Sequence, residues 1–146
     1  MDNPDAGDVR VKVVGHEAGS TASTDLALAK VIVAGGRGLQ GPEGFVLAHE
    51  LAEVLGGAVG ASRAPCDFGW GPPSYQIGLS GVIVSPDLYL ALGISGAPQH
   101  VAGCASARTI VSVNTDRVAT MFAHSRFGVV GDCQEVLPAL ISEVKK

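Results

Sequence analysis

The chain has 146 residues, the size of one domain, and 47% of them are hydrophobic, which is enough to fill a packed core. Only 16% are charged, below the roughly 25% of ordinary globular domains, so we expect much of its sheet to be covered on both faces or by a partner. A net charge of −4 and the lack of a basic stripe argue against a nucleic-acid partner. No apolar run reaches the roughly 18 residues of a membrane helix, so membrane insertion is not expected.

The first 25 residues are predicted to lie apart from the main domain. Residues 1–8 are acidic and lack the apolar core of a signal or transit peptide, so we expect them to be disordered. The stretch Val9–Val14 alternates and predicts a lone strand, and Gly19–Thr24 has the composition of a linker. The main domain is therefore expected to span residues 26–146.

The cysteines and histidines give no support for a metal site. Cys66, Cys104 and Cys133 are widely and irregularly spaced, which is typical of free thiols in a reducing compartment, so we expect the cytoplasm. The histidines show no metal-ligand spacing with one another or with the cysteines; they are His16, His49, His100 and His124.

Short β-branched or apolar runs alternate with longer helical patterns along the main domain. Strands are predicted at Lys30–Ala34, Ala58–Gly60, Val82–Val84, Leu88–Gly93, Thr109–Val113 and Phe127–Val130. Helices are predicted at Pro42–Leu55, Pro98–Ala105 and Val136–Val144, a loop at Arg63–Tyr75, and a tight turn at Gln76–Gly81. This alternation predicts a three-layer α/β domain with a parallel sheet and helices on both faces.

The predicted carboxyl ends of the strands carry residues that suit a ligand. Parallel sheets bind their ligands at these ends. Each end has Gly, Ser, Asn, Asp or Arg; the segments are Gly35–Gly38, Ser62–Arg63, Gly93–Gly96, Asn114–Asp116 and Gly131–Asp132.

The segment from Leu88 to His100 is the most specific of these. An apolar strand breaks at Gly93, and Ser95-Gly96 is predicted to open a helix whose backbone N–H groups and dipole suit a phosphate. His100 follows about one helical turn later, within reach of a ring on the same ligand. The segment predicts a nucleotide cofactor.

Other motifs leave alternatives open. Gly36–Gly41 matches Gly-x-Gly-x-x-Gly, but Pro42 delays the helix, so a turn that brings Arg37 to a ligand is the better interpretation than an NAD fingerprint. Arg63 is either a surface residue or a phosphate or ring contact, and Asp67 is the one nearby carboxylate that could pair with it.

Three further side chains have both a structural and a functional interpretation. Ser80, between glycines, resembles a nucleophile elbow with spacing off by one and is taken as a hydrogen-bonding hydroxyl or a turn serine. His100 is a structural histidine or a ligand contact. Asp132 caps a helix or binds a ribose hydroxyl.

Several blocks together resemble the electron transfer flavoprotein alpha subunit, in its C-terminal FAD-binding domain. The blocks occur in order from about Lys30 to the C-terminus; they are Gly35–Gly38, Gly60–Arg63, Gln76–Gly81, Pro86–Tyr89, Gly93–Gly96, Gln99–His100 and Val113–Asn114. Leu79 stands where many members have glutamine. The resemblance implies a Rossmann-like parallel sheet of the DHS-like NAD/FAD-binding type and non-covalently bound FAD.

The resemblance also implies which residues bind the cofactor. They are Arg37, Ser62, Arg63, Gln76, Gly78, Leu79, Ser80, Ser95, Gly96, Gln99, His100, Asn114 and Asp132. At the flavin, Arg63 would lie over the ring, Ser80 would bond N5 and His100 would lie near O2. At the other end, Ser62 and Ser95 would donate to the pyrophosphate, Arg37 would lie near the phosphates or flavin edge, and Asn114 and Asp132 would hold the adenosine.

The function implied is electron transfer from dehydrogenases to an acceptor through a flavin semiquinone, which makes the chain more an electron carrier than an enzyme with its own substrate. Its expected partner is a beta-type subunit, or a second copy of itself. The family's alpha chain has an N-terminal domain that helps to dock this partner, where here only Val9–Val14 and the linker precede the main domain. The alternatives are a non-catalytic assembly domain with weak or no FAD, and an NAD-binding enzyme of similar fold.

Overall fold

A computed structural model describes residues 26–146, in which a parallel sheet forms the centre. Its strands are β1 (Val31–Gly35), β2 (Ala58–Ala61), β3 (Leu88–Leu92), β4 (Thr109–Asn114) and β5 (Phe127–Val130). They lie in the order β2-β1-β3-β4-β5, and each neighbouring pair is parallel. The predicted α/β architecture is confirmed. The strand predicted at Val9–Val14 and the linker lie outside the described residues.

Two helices cover one face of the sheet. Helix α1 (Pro42–Leu55) and the last helix, Cys133–Lys145, bury Leu51 and Leu137 against Val33 of the sheet. Successive strand residues point to opposite faces, so Val33 faces these helices while its neighbours face away. The buried contact between these helices and the sheet is thus apolar.

The opposite face is covered by shorter elements. Helix α2 (Arg63–Asp67) still contacts the first face, through Cys66. The chain then runs through residues 76–84 and later forms helix α3 (Pro98–Cys104) on the opposite face. These segments and Leu26 pack on Ile32, Tyr89 and Ile110 of the sheet. The closing helix, α4 (Cys133–Lys145), lies on the first face, so both faces of the sheet are covered and the domain has the three predicted layers.

Local sequence explains where α1 starts and stops. Pro42 occupies the first turn, where its missing N–H costs no hydrogen bond. Gly56 ends the helix with φ 70°, and its N–H donates to the carbonyls of Ala52 and Glu53. The predicted and observed bounds of this helix agree.

Two predicted elements are wrong. Val82–Val84 is not a strand of the sheet, whose five strands lie in the order β2-β1-β3-β4-β5. Val82 makes a single bridge with Ile77, and Val84 is buried against the second face. The predicted loop Arg63–Tyr75 contains α2 and a 3₁₀ turn at Pro73–Tyr75, both too short to show a periodic apolar pattern.

Helix α4 begins three residues before its predicted start, at Cys133 rather than Val136. The Asp132 side chain accepts a hydrogen bond from the Gln134 N–H at 2.9 Å, which caps the helix. Within residues 26–146, no helix combines the length and the apolar character that crossing a membrane requires.

Candidate functional site

The carboxyl ends of β1 and β3 meet at the centre of the sheet. From β1 the chain moves to one side to form β2 and then crosses to form β3 on the other side, which is the place where open α/β sheets bind ligands. The turns after the two strands hold each other. The N–H of Gly36 donates to the Leu92 carbonyl at 2.8 Å, and that of Gly38 to the Gly93 carbonyl at 3.0 Å.

Glycine is required where these turns touch. A Cβ added at Gly38 would lie 2.6 Å from the Gly93 Cα, far inside contact distance. Gly93 itself has φ 66°, a conformation that side chains rarely adopt. The Gly-rich motif thus serves backbone contact between two strand ends, and α1 begins only after it, as Pro42 predicted.

Two pockets open above these strand ends. The first, which we term the His100 pocket, has a volume of about 340 Å³ and is lined by Ser62, Arg63, Ala64, Gln76, Ile77, Gly78, Leu79, Ser80, Ile94, Ser95, Ala97, Gln99 and His100. The second, the Asn114 pocket, has a volume of about 490 Å³ and is lined by Arg37, Gly38, Ser62, Ala64, Gly93, Ser95, Asn114, Asp116 and Ala119. Ser62, Ala64 and Ser95 belong to both, so the two form a continuous groove.

The groove brings together most of the predicted site residues. All of them line the His100 pocket except Arg37, Gly96, Asn114 and Asp132. Of these four, Arg37 and Asn114 line the Asn114 pocket. The segments that carry these residues are spread along the chain, and the parallel sheet gathers them at one edge.

Gly96 and Asp132 lie outside the groove. Helix α3 spans Pro98–Cys104, within one residue of its predicted bounds, so the expectation that Ser95-Gly96 opens it is wrong. Two other segments fix the turn that contains Ile94 and Ser95. The Asn114 amide donates a hydrogen bond to the Ile94 carbonyl, and the Met121 N–H donates one to the Ser95 carbonyl. Asp132 caps α4, and its predicted contact with a ribose stays a prediction.

Arg63 is not free of acidic partners. Its Nε lies 3.3 Å from Asp67 Oδ2, one turn further along α2, and both side chains are mostly exposed. Exposed pairs of this spacing are weak, about 0.3–0.5 kcal/mol, so a ligand can compete for the guanidinium. Asp67, the one nearby carboxylate that the sequence offered as a partner of Arg63, is thus the residue that pairs with it.

The turn Gln76–Gly81 is fixed to α3. The Leu79 N–H donates to the Gln99 carbonyl at 2.8 Å, and a Cβ at Gly78, whose φ is 149°, would lie 2.8 Å from that carbonyl oxygen. Ser80 is exposed at the tip of the turn, and no described histidine or carboxylate lies within hydrogen-bond distance of it. This favours a hydrogen-bonding hydroxyl over a nucleophile.

His100 is the one deeply buried polar side chain of the His100 pocket. It is 5% exposed, and its Nε2 lies 2.7 Å from the Tyr89 hydroxyl. Its Nδ1 is buried without a hydrogen-bond partner among the described residues. Burial lowers the pKa of His100 to about 4, against a smaller opposing effect of the Ile77 backbone, so the ring is neutral near pH 7.

Two residues in or behind the site were not among those predicted to bind the cofactor, although Asp116 lies in the predicted strand-end segment Asn114–Asp116. Asp116 lines the Asn114 pocket, where its N–H donates to the Asn114 side chain at 3.0 Å and its own carboxylate accepts from the Val118 N–H at 3.1 Å. Its position just after a strand end was the available signal. Tyr89 lies within an apolar strand, and nothing in the sequence indicates that it reaches His100.

The residues of the groove suit a dinucleotide that carries a ring. Pockets of about 300–1,000 Å³ are typical of small-molecule sites. Hydroxyls of Ser62 and Ser95 lie at the junction of the pockets, with Arg37 on one side, which suits phosphate oxygens. On the other side, Arg63 and His100 line a pocket whose volume suits a ring.

Fold and groove define a parallel α/β domain for a nucleotide cofactor. The family model of the electron transfer flavoprotein FAD-binding domain matches residues 25–105, more than half of the chain. The chain belongs to this family, as the sequence blocks indicated.

Curated relatives agree with this assignment. The chain is 47% identical to the electron transfer flavoprotein subunit alpha of Thermoanaerobacterium thermosaccharolyticum, over 95% of the chain and 42% of the relative. It is 52% identical to the subunit alpha of Bacillus subtilis, over 84% of the chain and 38% of the relative. The chain therefore spans about two fifths of the length of these relatives.

A solved structure supports the fold alone. A Mycobacterium smegmatis enzyme described as thiamin diphosphate-dependent matches 93% of this chain and 30% of its own, with a TM-score of 0.52 and 19% identity. The shared feature is the open α/β sheet.

Proposed function

We propose that this chain binds FAD and forms the cofactor-binding half of an electron carrier, which takes electrons from dehydrogenases and passes them singly to an acceptor. The observation that carries the proposal is the continuous groove, which joins a ring-sized pocket lined by Arg63 and His100 to a pocket lined by serine hydroxyls and an arginine. Family membership supports FAD as the dinucleotide. FAD supplies the redox chemistry when it is bound.

The chain's own residues would bind and orient the cofactor. Ser62, Ser95 and Arg37 would hold the pyrophosphate, and Asn114 the adenosine side. Arg63 is the cation at the ring end, where a positive charge favours a flavin that has gained negative charge. His100 is neutral, so it contributes a hydrogen bond there rather than a second charge.

A partner surface is the second part of the proposal. The edge strand β5 has exposed apolar side chains, with Phe127 60%, Val129 43% and Val130 55% exposed. Edge strands of this kind favour pairing with another chain. A beta-type subunit is the partner we propose, and the cytoplasm the compartment, which the three free cysteines support.

The same edge favours the alternative of an assembly domain that pairs with its own copy and binds FAD weakly or not at all. Light scattering on a size-exclusion column, repeated over a range of concentrations, separates the two arrangements. A mass of one chain throughout contradicts self-association, and a mass of two chains without flavin uptake favours it over the electron carrier.

FAD binding is tested by titrating the purified chain with FAD. We expect a shifted flavin absorption spectrum and a rise in melting temperature, because a ligand that binds only the folded state stabilises it. Ser95→Ala should weaken binding, and Ser142→Ala, on an exposed position of α4, should not. If saturating FAD changes neither spectrum nor melting temperature, the proposal is wrong for this chain, and tighter binding of NAD than of FAD favours the NAD-binding enzyme.

A further inference from the structure

Three consecutive residues of the turn after β3 are bonded to the segment that begins at the end of β4. The Gly93 N–H donates to a β4 carbonyl at 2.8 Å, and the Met121 N–H donates to the Ser95 carbonyl at 3.0 Å. Between these two contacts, the Asn114 amide donates to the Ile94 carbonyl at 3.2 Å. On this side, the turn is therefore held by two backbone hydrogen bonds and one side chain.

The orientation of the Asn114 amide is determined by its two partners. A carbonyl oxygen can only accept a hydrogen bond, so the group that faces Ile94 is the Nδ2 amide nitrogen. A backbone N–H can only donate, so the group that faces the Asp116 N–H, at 3.0 Å, is Oδ1. One side chain thus joins the turn after β3 to the loop after β4, and both halves of its amide have a partner.

The shape of the turn depends on contacts of this kind. Gly93 and Gly96 flank the other two residues of the turn, and both glycines have positive φ, 66° and 94°. Glycine has the widest choice of backbone conformations, so contacts with neighbouring segments have to fix the turn. Ile94 is buried in the second face, but Ser95 is exposed, so the position of its side chain depends on the backbone of the turn.

Ser95 is the residue that this arrangement positions. It lines both the His100 pocket and the Asn114 pocket, at the junction where the proposed pyrophosphate would lie. A hydroxyl contributes fully to binding only when it is held close to its ideal position, and hydrogen bonds from neighbouring residues supply that precision. The Asn114 amide is bonded to the carbonyl of the residue before Ser95, so it acts on the peptide unit that leads directly to this residue.

We propose that Asn114 is a positioning residue for Ser95: its amide holds the turn Gly93–Gly96 against the end of β4, so that the Ser95 hydroxyl stays at the junction of the two pockets. This inference rests on the proposed function, in which the ligand is FAD and Ser95 bonds its pyrophosphate. It gives Asn114 an effect at the phosphates in addition to its place beside the adenosine.

The first test measures backbone amide hydrogen exchange in the full chain without FAD. In Asn114→Leu, which has a similar size and no hydrogen-bonding group, the N–H groups of Gly93 and Met121 should exchange about tenfold faster, because the turn opens more often. The N–H of Val33, at the centre of the sheet, reports general destabilisation and should not change to the same extent. Thr115→Ala is the matched control, since Thr115 is exposed and lines neither pocket. Equal acceleration at all three N–H groups overturns the inference.

Asn114→Asp separates the two bonds of the amide. A carboxylate can still accept from the Asp116 N–H, but it cannot donate to the Ile94 carbonyl. The aspartate variant should therefore resemble Asn114→Leu in the exchange rates of the turn. If it resembles wild type instead, the bond to the loop is the important one and the inference is wrong.

A measurement on the wild-type chain covers the case in which these variants do not fold. The Nδ2 protons of Asn114 should exchange more slowly than the side-chain amide protons of Gln40, which is exposed. Equal exchange of the two side-chain amides contradicts a stable bond between Asn114 and the turn.

A second readout connects the turn to the cofactor. Ser95→Ala, Asn114→Leu and the double variant are titrated with FAD, and each single change should weaken binding about three- to tenfold, the usual effect of one hydrogen bond. Because Asn114 acts through Ser95, the loss in the double variant should be at least about threefold smaller than the product of the single losses. Losses that multiply fully overturn the inference. Failure of the wild-type chain to take up FAD contradicts the proposed function, while the exchange rates still decide whether Asn114 holds the turn.

Discussion

On one face of the sheet, α1 and α4 bury apolar side chains against apolar strand residues. On the other, the buried set includes Tyr89 and Cys104, and the Tyr89 hydroxyl lies 2.7 Å from Nε2 of the buried His100. The first face can contribute to stability without any ligand. On the second face, His100 Nδ1 is buried without a hydrogen-bond partner among the described residues, and a buried unsatisfied polar atom costs stability that the first face does not lose.

The largest loss of stability is expected at Leu51, which is fully buried on the first face. Leu51→Ala should lower the free energy of unfolding by about 2–5 kcal/mol, because Leu51 is fully buried and its loss leaves a cavity. Denaturant titration measures this effect. Val46→Ala, on the same helix but 66% exposed, is the control and should change stability by less than about 0.5 kcal/mol. Equal effects at the two positions would contradict the packing of this face.

The second face should respond to pH through His100. Its pKa is lowered to about 4 in the folded chain, so the unfolded chain binds the proton first as the pH falls below 6.5. The contribution of the neutral His100 ring to the free energy of unfolding is therefore fully present above pH 6.5 and is lost as the pH falls from 6.5 to 4. The loss amounts to about 3 kcal/mol, at roughly 1.4 kcal/mol per pKa unit.

Unfolding measured across this pH range in wild type and in His100→Gln checks the prediction. The variant should lose the part of the acid sensitivity that His100 causes. His49, whose pKa burial also lowers, gives the matched comparison through His49→Gln, which should change the pH dependence less because His49 is less buried. A wild-type stability that is flat over this range would contradict a neutral buried ring.

Variants of Asp132 separate its role as the cap of α4 from its predicted role in binding the ribose. Asp132→Ala should cost about 1 kcal/mol through loss of the helix cap, as measured by thermal unfolding. Asp132→Ser retains a capping oxygen and removes the carboxylate. If Asp132 also binds the ribose, the serine variant should keep the stability and lose FAD affinity; unchanged affinity leaves the cap as its only role.

The sequence predicts the elements of the first face more accurately than those of the second. Helix Pro42–Leu55 and the strands of the sheet have apolar spacing and terminal signals that are local, and they were predicted to within one residue. Val82–Val84 has the same local signal as a strand, but the sheet had no open edge beside β3. Apolar patterns report burial, and they do not report whether a place in the sheet is free.

The candidate site shows the same limit. The family blocks contain most of the residues that line the groove, and the lining residues outside them are Ala64, Ala97, Asp116 and Ala119. The link between Tyr89 and His100 joins a strand to a helix across the second face, and an apolar strand pattern cannot show it. The pairing of Arg63 with Asp67 was open for a different reason, since it depended on whether the supposed loop was a helix.

Arg63→Ala should have the smallest effect on stability and the clearest effect on the cofactor. The ion pair with Asp67 is exposed, so its loss should change the free energy of unfolding by less than about 0.5 kcal/mol. If FAD lies in the His100 pocket, removal of the one cation that lines it should lower the flavin midpoint potential, because the reduced, more negative flavin loses a favourable charge. Redox titration of the FAD-loaded chain measures this shift, and Arg108→Ala is the control, since Arg108 pairs with Asp87 at 3.9 Å and lines neither pocket. Equal potentials in the two variants would place the flavin away from Arg63.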